Sequence, residues 1–112
     1  MHSVVETVPY LADAERLFSI EEREAIVDMV ANDPQCGVVI PGTGGVRKVR
    51  VAASGRGKRG GARVIYLFGG EDLPTFLLAV FAKNEKDNLS QAECNRLKTS
   101  TAVLLQTYRG TP

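Results

Sequence analysis

The fold is decided by residues 62–68, which read ARVIYLF. Apolar side chains alternate onto both sides of this stretch, as they do in a central strand that is covered on both faces. Residues 46–52 alternate apolar and charged side chains, which is typical of a strand with one solvated face. Residues 75–82 form a third apolar run. The sequence therefore predicts three consecutive strands, with residues 62–68 in the middle of the sheet.

The first third of the chain predicts one strand and two helices. Residues 3–8 are a β-branched run that indicates a strand, and residues 10–18 place their apolar side chains along one side of a short helix. Ser19 and Glu22 have the spacing of a capping box, in which the two side chains satisfy backbone amides at a helix start. Pro34 ends this second helix, because the residue before a proline is disfavoured in helical geometry.

A second capping box, formed by Ser90 and Glu93, opens a C-terminal helix. We expect this helix to bury four apolar side chains, namely Leu97, Val103, Leu104 and Leu105. The predicted element order is β-α-α-β-β-β-α in a single domain that spans residues 1–112. Runs of helices followed by runs of strands indicate an α+β fold with the helices packed on one sheet.

Composition argues against several classes of protein. No apolar run reaches the eighteen or so residues that a membrane helix needs, and the N-terminus lacks the basic start of a signal peptide, so we expect a cytoplasmic protein. Cys36 and Cys94 come without a secretion signal, so we expect reduced thiols, as is usual in the cytosol, although their distance in sequence leaves proximity in space open. One histidine and two distant cysteines do not make a metal site. We expect neither a metal nor a cofactor.

Charge is distributed unevenly along the chain although the net charge is only +1. Residues 1–34 contain eight acids and two bases, whereas residues 35–70 contain seven bases and no acid. Such sign asymmetry within one domain indicates a local interaction surface. The middle third is where we expect a polyanion to bind.

The most basic stretch is a glycine-spaced loop at residues 54–63, which read SGRGKRGGAR. Glycines let a backbone approach closely, and the cations can contact phosphates. It is not a Walker A loop, since Ala52 stands where that motif needs glycine, nor a dinucleotide-binding loop, since a strand and not a helix follows. A solvated hairpin tip is the alternative. The seven cations and the absence of any acid over residues 35–70 favour polyanion binding instead.

Three stretches taken together resemble one known family. They are residues 42–51, GTGGVRKVRV, residues 55–66, GRGKRGGARVIY, and residues 81–90, FAKNEKDNLS. They are similar to the RelE/HigB superfamily of toxins from type II toxin–antitoxin systems, and most similar to its HigB-like branch. The resemblance covers nearly the whole chain, since element order and length also agree.

This resemblance implies a compact RelE-like domain with a small, largely antiparallel sheet. It also implies a ribosome-dependent endoribonuclease, or mRNA interferase, which cuts messenger RNA in the decoding site with the RNA's own 2′-hydroxyl as nucleophile. The implied partners are the ribosome, messenger RNA and a cognate helix-turn-helix antitoxin of the HigA kind. Operator DNA would be reached only through the antitoxin, and no membrane is involved.

Cleavage of this kind needs a proton acceptor, a proton donor and charge to stabilise the phosphorane. His2 lies at a terminus that is expected to fray, so cations must serve. Arg63 opens the central strand and could grip the scissile phosphate with both arms of its guanidinium; a salt bridge to Glu85 is the alternative. Lys83, at the end of the last strand, is a candidate for proton exchange. Lys58 is a second candidate that could equally bind phosphate.

The remaining cations of the middle third are assigned to contacts with the backbones of ribosomal and messenger RNA: Arg47, Lys48, Arg50, Arg56 and Arg59. Phe81 shares its strand parity with Lys83 and could stack on an unpaired base, although a plain core role is equally open. Many relatives carry tyrosine at this position, so the missing hydroxyl puts a catalytic role for Phe81 in doubt.

Two other functions remain open at this point. A non-catalytic RNA-binding or ribosome-binding module would use the same basic loop without cleavage. An inactive toxin homologue retained for antitoxin binding is the second alternative, and only the missing tyrosine hydroxyl favours it.

Overall fold

The computed structural model describes residues 3–52, 61–83, 85–86 and 88–109. Its elements, in chain order, are β1 (Val4–Glu6), α1 (Val8–Leu17), α2 (Ile20–Asn32), β2 (Val38–Val39), β3 (Val46–Val51), β4 (Ala62–Phe68), β5 (Thr75–Ala82) and α3 (Gln91–Arg109). The α+β prediction is confirmed. The sequence analysis missed β2, because two residues are too few to show an alternating pattern. None of the helices in these described ranges is both long and apolar enough to cross a membrane.

The five strands form one sheet in the order β1-β5-β4-β3-β2. β1 pairs with β5 in parallel, and the other three pairings are antiparallel. The prediction of a largely antiparallel sheet is therefore confirmed. β4 lies in the centre, as the apolar run at residues 62–68 indicated, and its positions 64–67 are all buried.

The two faces of the sheet are covered by different helices. One face, which we call the α1/α2 face, carries Val51, Val64 and Tyr66 and packs against the buried side chains of α1 and α2 in the larger core cluster. The opposite face, which we call the α3 face, carries a smaller cluster centred on Ile65 and Phe81, with Leu97 of α3 packed against it. Alternate residues of each strand point to opposite faces, so strand parity decides which surroundings a side chain meets.

Both predicted capping boxes are present. The Glu22 amide donates to Ser19 Oγ at 3.1 Å, and the Ser19 amide donates to Glu22 Oε1 at 2.8 Å. The Glu93 amide donates to Ser90 Oγ at 3.1 Å, and the Ser90 amide donates to Glu93 Oε1 at 2.8 Å. Each box satisfies amides that have no partner inside the helix, so the start of each helix was predictable.

The boundary between β1 and α1 differs from the prediction. The helix begins at Val8, two residues early, and the strand ends at Glu6. Pro9 lies in the first helical turn. A backbone amide there would have no intrahelical acceptor, so the missing amide of proline breaks no hydrogen bond. The proline therefore belongs to the helix start.

The prediction that α3 buries Val103 is wrong, because this side chain is 60% exposed. The fully buried positions of α3 are Cys94 and Thr101, seven residues apart, while Leu97, Leu104 and Leu105 are only partly buried. A spacing of seven residues marks a narrow stripe along one side of a helix. Val103 lies two residues beyond Thr101, which turns it away from this stripe.

Candidate functional site

A row of three side chains crosses the three central strands near one end, on the α3 face. Arg50 of β3 pairs with Arg63 of β4, and Arg63 pairs with Phe81 of β5. Side chains directly opposite each other on neighbouring strands have Cβ atoms about 4.5–5.5 Å apart. Arg50 is exposed and Arg63 is half-buried. Two cations thus occupy directly opposed positions on neighbouring strands.

Lys83 lies beside this row, two residues after Phe81, and follows β5 without belonging to the strand. Its amide donates to the carbonyl of Gly61 at 3.1 Å. This bond ties Lys83 to the start of β4, two residues before Arg63. We call the group formed by Arg50, Arg63, Phe81 and Lys83 the basic corner. The structure thus brings the predicted Arg63 and Lys83 to one corner of the sheet.

Gly61 allows the backbone to close tightly at this corner. Its φ is +74°, and a Cβ atom at this position would lie 2.3 Å from the carbonyl oxygen of Val51. No side chain fits at that distance, and a positive φ is readily adopted only by glycine. The sequence analysis assigned the glycines to close approach of a ligand, but at Gly61 the close neighbour is the end of β3.

Phe81 is the buried member of the basic corner, and only 7% of its surface is exposed. It belongs to the same buried cluster as Val46 and Ile65, and the ammonium of Lys86 lies 4.9 Å from the ring centroid. An ammonium over an aromatic face is attracted by the ring quadrupole. Burial therefore favours a core role for Phe81. Stacking on a base would require the Lys86 ammonium to move off the ring.

Arg47 and Lys48 are neighbours on β3 but project from opposite faces of the sheet. Lys48 pairs with Ile65 on the α3 face, and its Nζ donates to Asn88 Oδ1 at 3.4 Å. The guanidinium of Arg47 donates to two backbone carbonyls, of Gly37 at 2.8 Å and of Gln35 at 3.4 Å. Contact of Arg47 with RNA stays a prediction from the sequence, and these two hydrogen bonds favour a structural role instead. In this structure the side chain holds the turn between α2 and β2.

The connection between β5 and α3 is held by an ion pair that the sequence analysis missed. Arg16 of α1 donates to Glu85 through both arms, Nη1 to Oε2 at 2.9 Å and Nη2 to Oε1 at 3.3 Å. The hydrogen bond to Glu85 is the main reason that the pKa of Arg16 is raised. Glu85 Oε1 also accepts from the Ala82 amide at 3.2 Å. Sequence reasoning considered Arg63 as the partner of Glu85, and nothing in the local pattern indicates Arg16, which lies 69 positions away.

A second ion pair joins the same connection to the first turn of α3. Lys86 contacts Glu93, the acidic member of the second capping box. The hydrogen bond from Lys86, followed by that from the Ser90 amide, lowers the pKa of Glu93 to about 2. The lowered pKa keeps Glu93 ionised in acid solution as well as at neutral pH, so the carboxylate serves both the helix cap and the Lys86 ammonium.

A cleft of about 540 Å³ opens beside Phe81, between β5, the β5–α3 connection and α3. Its apolar lining includes Ile65, Ala79, Phe81, Leu89 and Leu97, and its charged lining includes Arg16, Glu85, Lys86, Glu93 and Arg96. A concave lining that combines apolar side chains with polar groups is typical of a ligand-binding cleft. The cleft extends the basic corner toward α3.

Several predicted residues fall outside the described part of the chain. Arg56, Lys58 and Arg59 belong to this set, as does His2. Within the described residues, no cluster of three or more histidine, cysteine, aspartate or glutamate side chains could hold a metal ion. The site that the described residues form is therefore built from cations, a buried aromatic ring and two ion pairs.

Two comparisons place the chain among known proteins. A family model described as the RelE toxin of the RelE/RelB toxin–antitoxin system matches residues 23–110. Among solved structures, the free Escherichia coli toxin RelE, as a variant with two arginines replaced by alanine, superposes with a TM-score of 0.57. That superposition covers 89% of this chain and 96% of the other, at 14% sequence identity. The structural likeness shows a common fold, and the family model spans most of the chain.

Proposed function

The chain belongs to the RelE family of toxins from toxin–antitoxin systems, and we propose that it is a ribosome-dependent endoribonuclease that cuts messenger RNA in the decoding site. The observation that carries this proposal is the pairing of Arg50 with Arg63 beside Lys83. A pair of opposed arginines on a rigid sheet, within the most basic third of the chain, suits an RNA phosphate.

In the proposed reaction the RNA 2′-hydroxyl attacks the adjacent phosphorus. The bond from O2′ to phosphorus forms while the bond to the 5′-oxygen breaks, which leaves a 2′,3′-cyclic phosphate and a free 5′-hydroxyl. Arg63 would donate to the phosphate oxygens, where negative charge grows as the phosphorane forms. Its place in the central strand β4 holds the guanidinium before the reaction begins, which is the condition for effective electrostatic stabilisation.

Two proton transfers complete the reaction, one from the 2′-hydroxyl and one to the departing 5′-oxygen. Lys83 is the proposed proton-exchanging group, because its backbone is fixed beside Arg63 and its ammonium can donate to a leaving oxygen. Lys58 is the second proposed group, from the basic loop. Comparison of the pH profiles of Lys83→Ala and Lys58→Ala would assign the acid and the base.

The other cations are proposed to bind the ribosome and the messenger backbone. Arg50 belongs to the basic corner and Lys48 lies next to it on the α3 face, while Arg56 and Arg59 belong to the loop. Each phosphate contact adds a salt-dependent increment to affinity and carries no sequence information. These residues would therefore set ribosome affinity, whereas Arg63 and Lys83 would set the cleavage rate.

The proposed partner is a helix-turn-helix antitoxin of the HigA kind, which would silence the toxin in the cytoplasm. The antitoxin would act in one of two ways. It would either cover the basic corner with acidic groups, or bind elsewhere and make the complex too large to enter the decoding site. The protein would reach operator DNA only through this antitoxin. Expression of the chain alone should arrest growth, and co-expression of the antitoxin should restore it.

Purified protein mixed with translating ribosomes tests the proposal. We expect cuts within the decoding site, 2′,3′-cyclic phosphate ends, and no loss of activity when phenanthroline removes transition metals while the ribosomal magnesium is kept. Equal cleavage of ribosome-free RNA, or inhibition by phenanthroline, would contradict this mechanism. Tight ribosome binding without cleavage would support the non-catalytic module, and antitoxin binding without either activity would support an inactive homologue.

A further inference from the structure

We propose that Arg16 and Glu85 are positioning residues, whose ion pair holds Lys83 in place at the basic corner. The inference rests on the proposed function, since it assigns Lys83 a part in cleavage. Neither residue belongs to the basic third of the chain, and Arg16 comes from a helix that packs on the opposite, α1/α2 face.

The Glu85 carboxylate joins three parts of the protein. Its two oxygens accept from the two arms of Arg16 at 2.9 and 3.3 Å, which gives the planar, two-point contact that fixes orientation as well as distance. One of these oxygens also accepts from the amide of Ala82 at 3.2 Å. Ala82 is the last residue of β5, so the carboxylate links α1 to the end of that strand.

Lys83 lies between these contacts. The amides of Glu85 and Lys86 both donate to the carbonyl of Ala82, at 3.0 and 3.3 Å, and so form a tight turn around residue 83. On the other side, the amide of Lys83 donates to Gly61 at 3.1 Å. The backbone of Lys83 is thus held by the sheet on one side and by the Glu85 turn on the other.

Exposure of the pair separates a positioning role from a stabilising one. The side chains of Arg16 and Glu85 are 52% and 44% exposed, and ion pairs with this exposure add little to the free energy of unfolding. Their loss should therefore leave the melting temperature almost unchanged. A small displacement of a reacting group, by contrast, can lower a rate by about 100-fold.

The first test compares cleavage on translating ribosomes for Arg16→Gln, Glu85→Gln and Glu85→Ala. We expect kcat to fall by about 2-fold to 5-fold in Arg16→Gln, the most that the loss of an exposed ion pair can shift the position of Lys83, with KM and melting temperature unchanged. Glu85→Ala should lose more than Glu85→Gln, because the glutamine amide oxygen can still accept from Ala82. Arg23→Gln is the matched control, since it breaks a pair with Glu6, 4.0 Å apart, away from the basic corner. An unchanged kcat in Arg16→Gln, or an equal loss in the control, would overturn the inference.

The second test asks whether Arg16 acts through Lys83. In the Lys83→Ala background, under single-turnover conditions, Arg16→Gln should cause no further loss, because the group that it positions is gone. Independent, additive losses would show that Arg16 acts elsewhere.

A third measurement does not depend on activity. Amide hydrogen exchange should accelerate at Lys83 in Arg16→Gln and in Glu85→Ala, but not in Arg23→Gln. A wild-type protein that does not cleave would refute the proposed function, and the exchange rates would still decide whether the ion pair holds Lys83. Unchanged exchange at Lys83 in Arg16→Gln would overturn the inference even in an active enzyme.

Discussion

The two faces of the sheet use the same strands for different purposes. On the α1/α2 face, Val64, Tyr66 and Leu77 are fully buried among the side chains of α1 and α2. On the α3 face, the apolar cluster around Ile65 and Phe81 is small, and the opposed Arg50 and Arg63 lie directly beside it. The comparison teaches that strand parity, more than residue type, separates side chains that maintain the fold from side chains that are available to a partner.

The largest effect is expected where the α3 face still serves the core. Phe81→Ala should lower the free energy of unfolding by about 3–5 kcal/mol, because it empties a buried site, and Phe81→Leu should recover most of that loss. Thermal melts and cleavage rates measured on both variants check this. If Phe81→Leu keeps the wild-type melting temperature but loses activity, an aromatic ring is required and the stacking interpretation returns.

Arg63→Ala should lower the cleavage rate strongly and leave the melting temperature almost unchanged. Removal of one preorganised donor to a developing oxyanion costs about 10²–10³ in rate, and the guanidinium is no part of the apolar core, so the melting temperature should stay near that of the wild type. Single-turnover cleavage beside thermal melts checks this. Lys98→Ala, an equal charge change at an exposed position of α3 outside the cleft, is the control and should keep full activity. A large fall in melting temperature in Arg63→Ala would instead show that the residue is structural.

Arg47 and Arg50 offer the finest test, since they lie on one strand and face opposite ways. Arg50→Gln should reduce the salt dependence of ribosome binding by about 0.7–0.9 in logarithmic slope, the amount for one phosphate contact, with no change in stability. Arg47→Gln should leave that slope unchanged and lower the free energy of unfolding by about 0.5–1.5 kcal/mol for each lost hydrogen bond. Equal slope changes in both variants would show that Arg47 also contacts RNA and that the distinction between faces fails.

Much of the fold was predictable because its signals are local. The alternation over residues 46–52 and the apolar run at residues 62–68 were sufficient for β3 and β4, and each capping box marked a helix start within four residues. The same alternation places Arg47 with Val49 on the α1/α2 face and Lys48 on the opposite face. The sequence alone is therefore sufficient to predict that these two cations project from opposite faces of the sheet.

Other features depend on tertiary geometry and leave no local trace. The pairing of Arg16 with Glu85 joins positions that are 69 residues apart, and an exposed arginine on an amphipathic helix is typical of a solvated face. The burial of Thr101 in place of Val103 depends on how α3 is rotated against the sheet, which propensity and periodicity do not determine within one residue. Residue chemistry alone indicated Arg63 and Lys83, but the register of β3, β4 and β5 was needed to bring Arg50 beside them.

The close approach of Gly61 to Val51 has a consequence for how such a protein can diversify. The two ends of the basic loop are joined at its base by the sheet itself, through the pairing of Val51 with Ala62. Because the entropy of closing a loop rises only slowly with its length, residues 52–60 could be lengthened, shortened or exchanged without moving Arg50 or Arg63. The sheet thus fixes the positions of Arg50 and Arg63 independently of the length of the loop that joins β3 and β4, so that this loop can diversify among related chains while these two residues stay opposed.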